Sequence, residues 1–501
     1  MSLSRLAPQL VVGLRGTEIS EEERRLLEES PPAGVILFAR NVSSSSQLAA
    51  LTRDIISTIS NTSGMLPLVM ADHEGGRISV LAGAIGTPPS QLSIARAGDL
   101  ELCRRVYRET SSRMTACGLN VVLGPVADVN TEPLNPVIGT RSFGDDPASV
   151  AVMVREAVKV CREAGLAACI KHFPGHGSTT EDSHTSLPAI RRASHELKRI
   201  DRPPFGAGIW AGAELVMTGH IVPPGGNGPA TLEPGIIVGI LREELCYDGV
   251  VITDALEMAG VRSDGGAGER TMREIVDLAL QAGNDLLLFS RPVGEVYKEL
   301  ERLERSSTDA RSVRRIEELR HRLREHAAKR AEGRAGADDD PYRVVASASI
   351  EVKRDPGSLL PIGSAAPSSI IFIGDEGDFA NEIARGFARR VIDTLDRAGA
   401  AKEDTGDPFA GRTALANGFE RAVFDHLEGE GDALVILLNR RPIDQALLGE
   451  ITAGAGIVVV TDWPPAADML AERLTVITTF GLCGEAAEQL FRVRYEASPG
   501  R

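Results

Sequence analysis

The chain holds 501 residues, 43% hydrophobic and 25% charged, enough for a real core and for roughly two to four domains of about 100–200 residues. Lys and Arg number 55 against 70 Asp and Glu, a formal charge of −15. That balance argues against a nucleic-acid protein and against docking on an anionic membrane, and 4% aromatic residues give no extended base-stacking platform.

The N-terminal stretch 1–16 has one basic residue ahead of a short apolar run and no small-residue cleavage site. It reads as a first strand, and the expected location is cytoplasmic. No apolar run of 18 or more residues predicts a transmembrane helix. Six cysteines (Cys103, Cys117, Cys161, Cys169, Cys246, Cys483) lack CxxC spacing and read as reduced thiols.

Eight apolar runs rich in Val, Ile and Leu recur in the first 290 residues: 10–16, 34–39, 66–72, 121–129, 167–175, 215–221, 249–256 and 285–290. Nearly continuous apolar strands are what a parallel sheet covered on both faces demands. Helix-like stretches lie between them, including a start at Ser20 with Glu21, Glu22 and Glu23 in its first turn, and the segments 99–117 and 147–164. Eight strand–helix units predict a (β/α)8 barrel with its site at the C-terminal strand ends.

Residues 296–340 are dominated by Glu, Arg, Lys and Ala. Leu300, Leu303, Val313, Ile316, Leu319 and Leu323 fit an amphipathic helix, read as a long solvated connector ending in a linker at 333–341. The strand–helix pattern then resumes, with candidate strands at 369–374, 433–439, 456–462 and 474–480. The expected map is a barrel domain over 1–295, a charged connector over 296–342 and a smaller α/β sandwich over 343–501.

The polar residues of interest fall at predicted strand ends. Strand three delivers Asp72, strand four leads to Arg141, strand five runs into Lys171 and His172, strand six ends near His220, and strand seven delivers Asp254. Five strand ends converging on one mouth is the arrangement a barrel enzyme needs. Asp254 reads either as a carboxylate nucleophile, as retaining glycoside hydrolysis requires, or as the cap of the next helix. The loop 175–184 carries an Asp-x-His pair. Asp182 can hold His184 in one tautomer and stabilise its cation, so that His184 serves as acid and then base; otherwise His184 is an exposed bystander. Lys171 and His172 read as sugar-binding groups helped by Asp72 and Arg141, or as a structural ion-pair network on the rim. His172 and His176 span a Pro-Gly turn rather than a helix face, and HExxH is absent, so no metal is expected.

Taken in order, the segments GVILFARN (34–41), DHEGGRI (72–78), GPVADVN (124–130), GTRSFGDDP (139–147), KHFPGHGSTTEDSHTSLP (171–188) and DGVVITDALEM (248–258) resemble glycoside hydrolase family 3, in its β-N-acetylhexosaminidase branch. The resemblance covers residues 8–290, and the second domain more loosely. It implies Asp254 as nucleophile, Asp182–His184 as the acid/base dyad, and Asp72, Arg141, Lys171 and His172 as sugar-binding positions. It also implies a small carbohydrate substrate, a terminal β-linked N-acetylglucosamine as found in muropeptides of cell-wall recycling. No metal or organic cofactor is implied.

Two positions depart from the family. His73 stands where Gln is common, and Val80 stands where a basic sugar contact is common. Three rival readings stand beside the leading one. The first is a phosphorylase on the same scaffold, since a histidine acid/base does not repel phosphate. The second is a β-glucosidase, whose branch resembles a different acid. The third is a sugar-binding protein without catalysis, motivated by Val80.

Overall fold

The structure, a computed structural model, describes residues 6–183, 186–263, 268–300, 309–330 and 340–349, together with seven strands nearer the C-terminus. All eight apolar runs of the first part form strands. They are β1 (Leu10–Gly13), β2 (Gly34–Leu37), β3 (Leu68–Ala71), β4 (Val121–Val122), β5 (Ala167–Phe173), β6 (Leu215–Thr218), β7 (Val250–Thr253) and β8 (Leu287–Pro292). Each pairs parallel with its sequence neighbour, and β8 returns to β1. A parallel bridge from Ile252 to Leu286 completes the ring. This is the expected (β/α)8 barrel.

The strands are apolar throughout because both faces are covered. Val11, Ile36, Met70, Val121, Cys169, Met217 and Ile252 pack together in one cluster; the alternate residues Val12, Val35, Val69, Val122, Ile170, Val216 and Val251 pack in another, which includes the surrounding helices. β4 is shorter than its apolar run. Regular pairing stops at Val122, although the Leu123 N–H still donates to the Ala71 carbonyl and the Gly124 carbonyl accepts the Cys169 N–H; Pro125 has no N–H to add, and pairing resumes as the bridge Val126–Lys171.

The helix starts follow local chemistry. Ser20 and Glu23 close a capping box on α1 (Glu21–Glu29), Asp99 caps α2 (Leu100–Ala116), and Asp146 with Pro147 opens α3 (Pro147–Glu163). Among the described residues no helix is long and apolar enough to cross a membrane.

The charged stretch after the barrel is helical, but one side of it is not solvated. In α4 (Ala310–Arg330), Ile316, Leu319 and Leu323 are buried against the barrel's inner cluster, while Val313 is exposed. Leu300 is buried in the preceding helix, Val293–Leu300, and Leu303 lies outside the described residues. Arg320 is buried too, donating to the carbonyls of Leu66 (3.0 Å) and Ala33 (3.3 Å) just before β3 and β2. Helix α4 thus closes the floor of the barrel, opposite the mouth. Its spacing carried this information, but its charge density suggested solvent, because a long arginine stem can cover apolar surface as it pairs.

Seven further strands form one sheet: β9 (Glu351–Arg354), β10 (Ser369–Asp375), β11 (Thr413–Ala416), β12 (Phe419–Phe424), β13 (Ala433–Leu437), β14 (Ala455–Val460) and β15 (Thr475–Thr478). Their order is β9-β15-β14-β13-β10-β12-β11, with four parallel strands in the middle and antiparallel ones outside. The four expected strands are those in the middle. The layers expected to cover the sheet lie outside the described residues.

Candidate active site

The mouth is built from the C-terminal ends of β3, β5 and β7 and from a turn after β4. Beyond β3 the chain passes Asp72 into a small hairpin, His73–Gly75 with Ile78–Ser79. Gly75 has φ 108°, and a Cβ there would lie 2.1 Å from the Pro89 carbonyl oxygen, so only glycine allows the approach. The hairpin holds Glu74 buried. β5, wholly buried over seven residues, delivers Lys171 and His172. A 3-10 turn, Gly139–Arg141, supplies Arg141.

These groups form one ionic chain. Lys171 Nζ donates to Asp72 Oδ1 at 2.5 Å and lies 2.6 Å from Glu74 Oε1. Arg141 grips Glu74 with both prongs, Nε to Oε2 and NH2 to Oε1, each at 2.8 Å. Arg141 NH2 also stands 3.3 Å from His172 Nε2. His172 Nδ1 is 2.8 Å from Asp128 Oδ2, and Asp128 Oδ1 accepts the His176 backbone N–H at 2.7 Å.

The electrostatics sort these groups. Burial alone would raise Glu74, but Arg141 and Lys171 outweigh it and hold its carboxyl at about 2. Asp72 moves upward. Burial leads, the charges of Glu74 and Asp254 add to it, and Lys171 opposes. Asp128 is pushed up to about 6 by burial, against the bonds it accepts. His172 falls well below its usual value through burial and the nearby Arg141 and Lys171 charges, so its ring is neutral. Lys171 is 2% exposed and Asp72 23%, so the pair reaches solvent only through the carboxylate.

Asp254 follows β7 directly. Its N–H donates to the Thr218 carbonyl at the end of β6, and its Oδ1 accepts the Ala255 N–H at 2.8 Å. The next helix, Ala259–Arg262, starts from Met258, so Asp254 is not its cap. The Asp254 charge acts on Asp72, His172 and His176 together. His220 braces the same loop, with Nε2 3.0 Å from the Ala255 carbonyl. A cavity of about 130 Å³ beside this cluster is lined by Arg77, Ile78, Val137, Arg141 and Asp182, among others.

Of the expected residues, Asp72, Arg141, Lys171, His172 and Asp254 therefore share one mouth, and Asp182 lines the cavity next to Arg141. His184 lies outside the described residues. The ion-pair network foreseen on the rim exists, with Glu74 at its centre. Glu74 and Asp128 were missed as site residues, although both stand inside the quoted segments DHEGGRI and GPVADVN. At the two departures, His73 Nδ1 faces the Leu81 N–H at 3.4 Å, and its pKa is drawn down to about 3 by burial and then by Arg113. The Val80 N–H donates to the Asp72 carbonyl at 3.1 Å and its side chain packs on the core. Among the described residues no group of three or more His, Cys, Asp or Glu is arranged to hold a metal ion.

Comparison with known proteins gives a consistent family. Residues 5–322 match the model of the glycosyl hydrolase family 3 N-terminal domain. A β-hexosaminidase of Stenotrophomonas maltophilia is 37% identical over 290 residues, 56% of this chain and 83% of that protein. β-Hexosaminidase A of Pseudoalteromonas piscicida is 30% identical over 381 residues, 69% of this chain and 63% of that protein. Among solved structures, a family 3 β-N-acetylglucosaminidase from Paenibacillus superposes with a TM-score of 0.76 at 25% identity, covering 98% of this chain and 95% of the other. NagZ from Neisseria gonorrhoeae does so with 0.56 at 25%, covering 64% and 96%. A β-glucoside phosphorylase, at 18% identity and a TM-score of 0.76 over 98% of this chain and 91% of its own, shares the fold. The ordered strand-end motifs, the closed barrel and these matches lead to one assignment: the chain is an enzyme of glycoside hydrolase family 3.

Proposed function

We propose that the enzyme is a retaining exo-β-N-acetylglucosaminidase. Its substrate is a small carbohydrate ending in β-linked N-acetylglucosamine, with a cytoplasmic role in muropeptide recycling. The observation that carries the reading is the placement of Asp254: a carboxylate at the end of β7, acting electrostatically on the cluster built by Asp72, Lys171, Arg141 and His172. The β-hexosaminidase relatives support the sugar class.

In the first step Asp254 attacks the anomeric carbon, the glycosidic C–O bond breaks, and His184, paired with Asp182, gives its proton to the leaving oxygen. In the second, His184 takes a proton from water, the water oxygen bonds to the anomeric carbon, and the bond to Asp254 breaks. Two displacements return the starting configuration. Asp72, Lys171, Arg141 and His172 bind the hydroxyls of the terminal sugar. The pre-formed Glu74 pairs hold both cations in place, so little reorganisation is needed on binding.

The test is a set of rates on p-nitrophenyl β-N-acetylglucosaminide and p-nitrophenyl β-glucoside, each with and without phosphate. Turnover of the first alone, independent of phosphate and abolished in Asp254→Ala, is the expected result. Near-normal turnover by Asp254→Ala would overturn the nucleophile. Sugar-1-phosphate among the products would assign a phosphorylase, and tight sugar binding without turnover would assign a binding protein.

A further inference from the structure

His176 takes no part in the mechanism above, yet it is 1% exposed and engaged at every polar atom. Its backbone N–H is held by Asp128, and its carbonyl accepts from Asn135 Nδ2 at 2.8 Å. Its Nδ1 lies 2.8 Å from Thr179 Oγ1, and that hydroxyl donates to the His176 carbonyl at 3.1 Å. In the neutral imidazole one ring nitrogen donates and the other accepts, and each has a hydroxyl beside it, which can play either part. Nε2 is hydrogen-bonded to Ser183 Oγ, 3.2 Å away. Burial keeps the ring neutral.

Ser183 is held from its other side as well. Its carbonyl accepts the Gly260 N–H at 3.1 Å, six residues beyond Asp254. A Cβ on Gly260 would lie 2.8 Å from that carbonyl oxygen and 3.0 Å from the Ser186 carbonyl oxygen. The residue between Asp182 and His184 is thus tied both to the buried imidazole behind the sugar-binding strand and to the segment that follows Asp254.

We propose that His176, through Ser183, is a positioning residue that sets the general-acid loop in register with the nucleophile, and that Gly260 completes the latch. The inference rests on the Asp182–His184 acid assignment. A loop displaced by an ångström delivers its proton poorly, at a cost of up to about 100-fold in rate. That cost falls only on substrates whose leaving group needs the proton.

The experiment compares kcat/KM for 2,4-dinitrophenyl and phenyl β-N-acetylglucosaminides, which reports the first step alone. Dinitrophenolate departs without protonation, whereas phenolate does not. Ser183→Ala is expected to lose about 10- to 100-fold on the phenyl glycoside and less than about two-fold on the dinitrophenyl one. Ser183→Thr, which keeps the hydroxyl, restores the phenyl rate, and Gly260→Ala behaves like Ser183→Ala. Equal losses on both substrates, or none on either, would overturn the latch. His184→Ala is measured alongside. If it shows the leaving-group dependence and Ser183→Ala does not, the latch alone fails. If His184→Ala shows no such dependence, the acid assignment fails and takes the latch with it.

Discussion

Asp128 and His172 are joined twice: one carboxylate accepts the His172 backbone N–H at 3.2 Å and meets the ring at Nδ1, 2.8 Å away. The ring is neutral, so Nδ1 carries the proton and Nε2 offers its lone pair to Arg141. In Asp128→Asn the amide oxygen keeps one donor, and its NH2 either meets Nδ1–H or forces the other tautomer onto Arg141. A hydrogen bond to a charged group is worth about 1.5–3 kcal/mol, so kcat/KM should fall roughly 10- to 100-fold. Asp128 ionises at about 6. As pH falls through that value the carboxylate gains a proton and this acceptor is lost, so kcat/KM should decline on the acid side of pH 6. The pH–rate profile of the variant should lack that limb; its persistence would assign it to another group.

Glu74 is the hinge of the ionic chain. Its carboxyl is held at about 2, below its ordinary 4.5, a difference of roughly 3 kcal/mol in favour of the folded state. The sign is that of a depressed acid: the contribution is complete above about pH 4.5 and lost as pH falls through 2. Glu74→Gln leaves Lys171 and Arg141 with less compensation and should lose about 3 kcal/mol at neutral pH. Urea titrations from pH 7 to 2.5 check this. The gap between wild type and variant should narrow on acidification, and a constant gap would show that packing rather than charge is what the variant lost.

The sequence revealed the mouth more readily than the contacts inside it. Strand ends were legible because each apolar run stops at a polar residue, as at Thr253–Asp254 and Ala71–Asp72. Glu74 and Asp128 were not, because their partners are remote: Arg141 stands 67 residues from Glu74, and His172 stands 44 from Asp128. No local periodicity announces such a pair. The same holds for α4, where burial of Arg320 depends on carbonyls more than 250 residues away. The outer strands β9, β11 and β12 escaped notice for another reason: short runs such as TALA and FERAVF carry weak alternation.

Gly177 marks where the loop after β5 meets the segment after β4. A Cβ there would lie 2.0 Å from the Val129 carbonyl oxygen and 2.4 Å from its carbon, and the Gly177 carbonyl accepts the Glu132 N–H. Both neighbours are backbone, so neither side chain can turn aside. Gly177→Ala should force the two segments apart beside Asp128, lowering kcat/KM by at least about 10-fold. Wild-type kinetics in this variant would show that the segments tolerate separation and that their contact does not order the site.

Arg320 separates stability from catalysis, because it lies on the floor rather than at the mouth. It gives hydrogen bonds to the Leu66 and Ala33 carbonyls at the edges of β3 and β2, and its partner Glu317 is solvated. Arg320→Ala leaves the Leu66 carbonyl without this donor at about 1–3 kcal/mol, while the Ala33 carbonyl keeps the Leu68 N–H, and it empties the volume of the stem. The loss should total about 3–5 kcal/mol, and Tm should fall by roughly 10 °C. Arg320→Met refills the space without donors and should recover only the packing part. At 25 °C both variants should keep kcat/KM within about two-fold of wild type, since no group of the ionic chain touches α4. A large kinetic loss with an unchanged Tm would contradict this and make the floor helix part of the site's support.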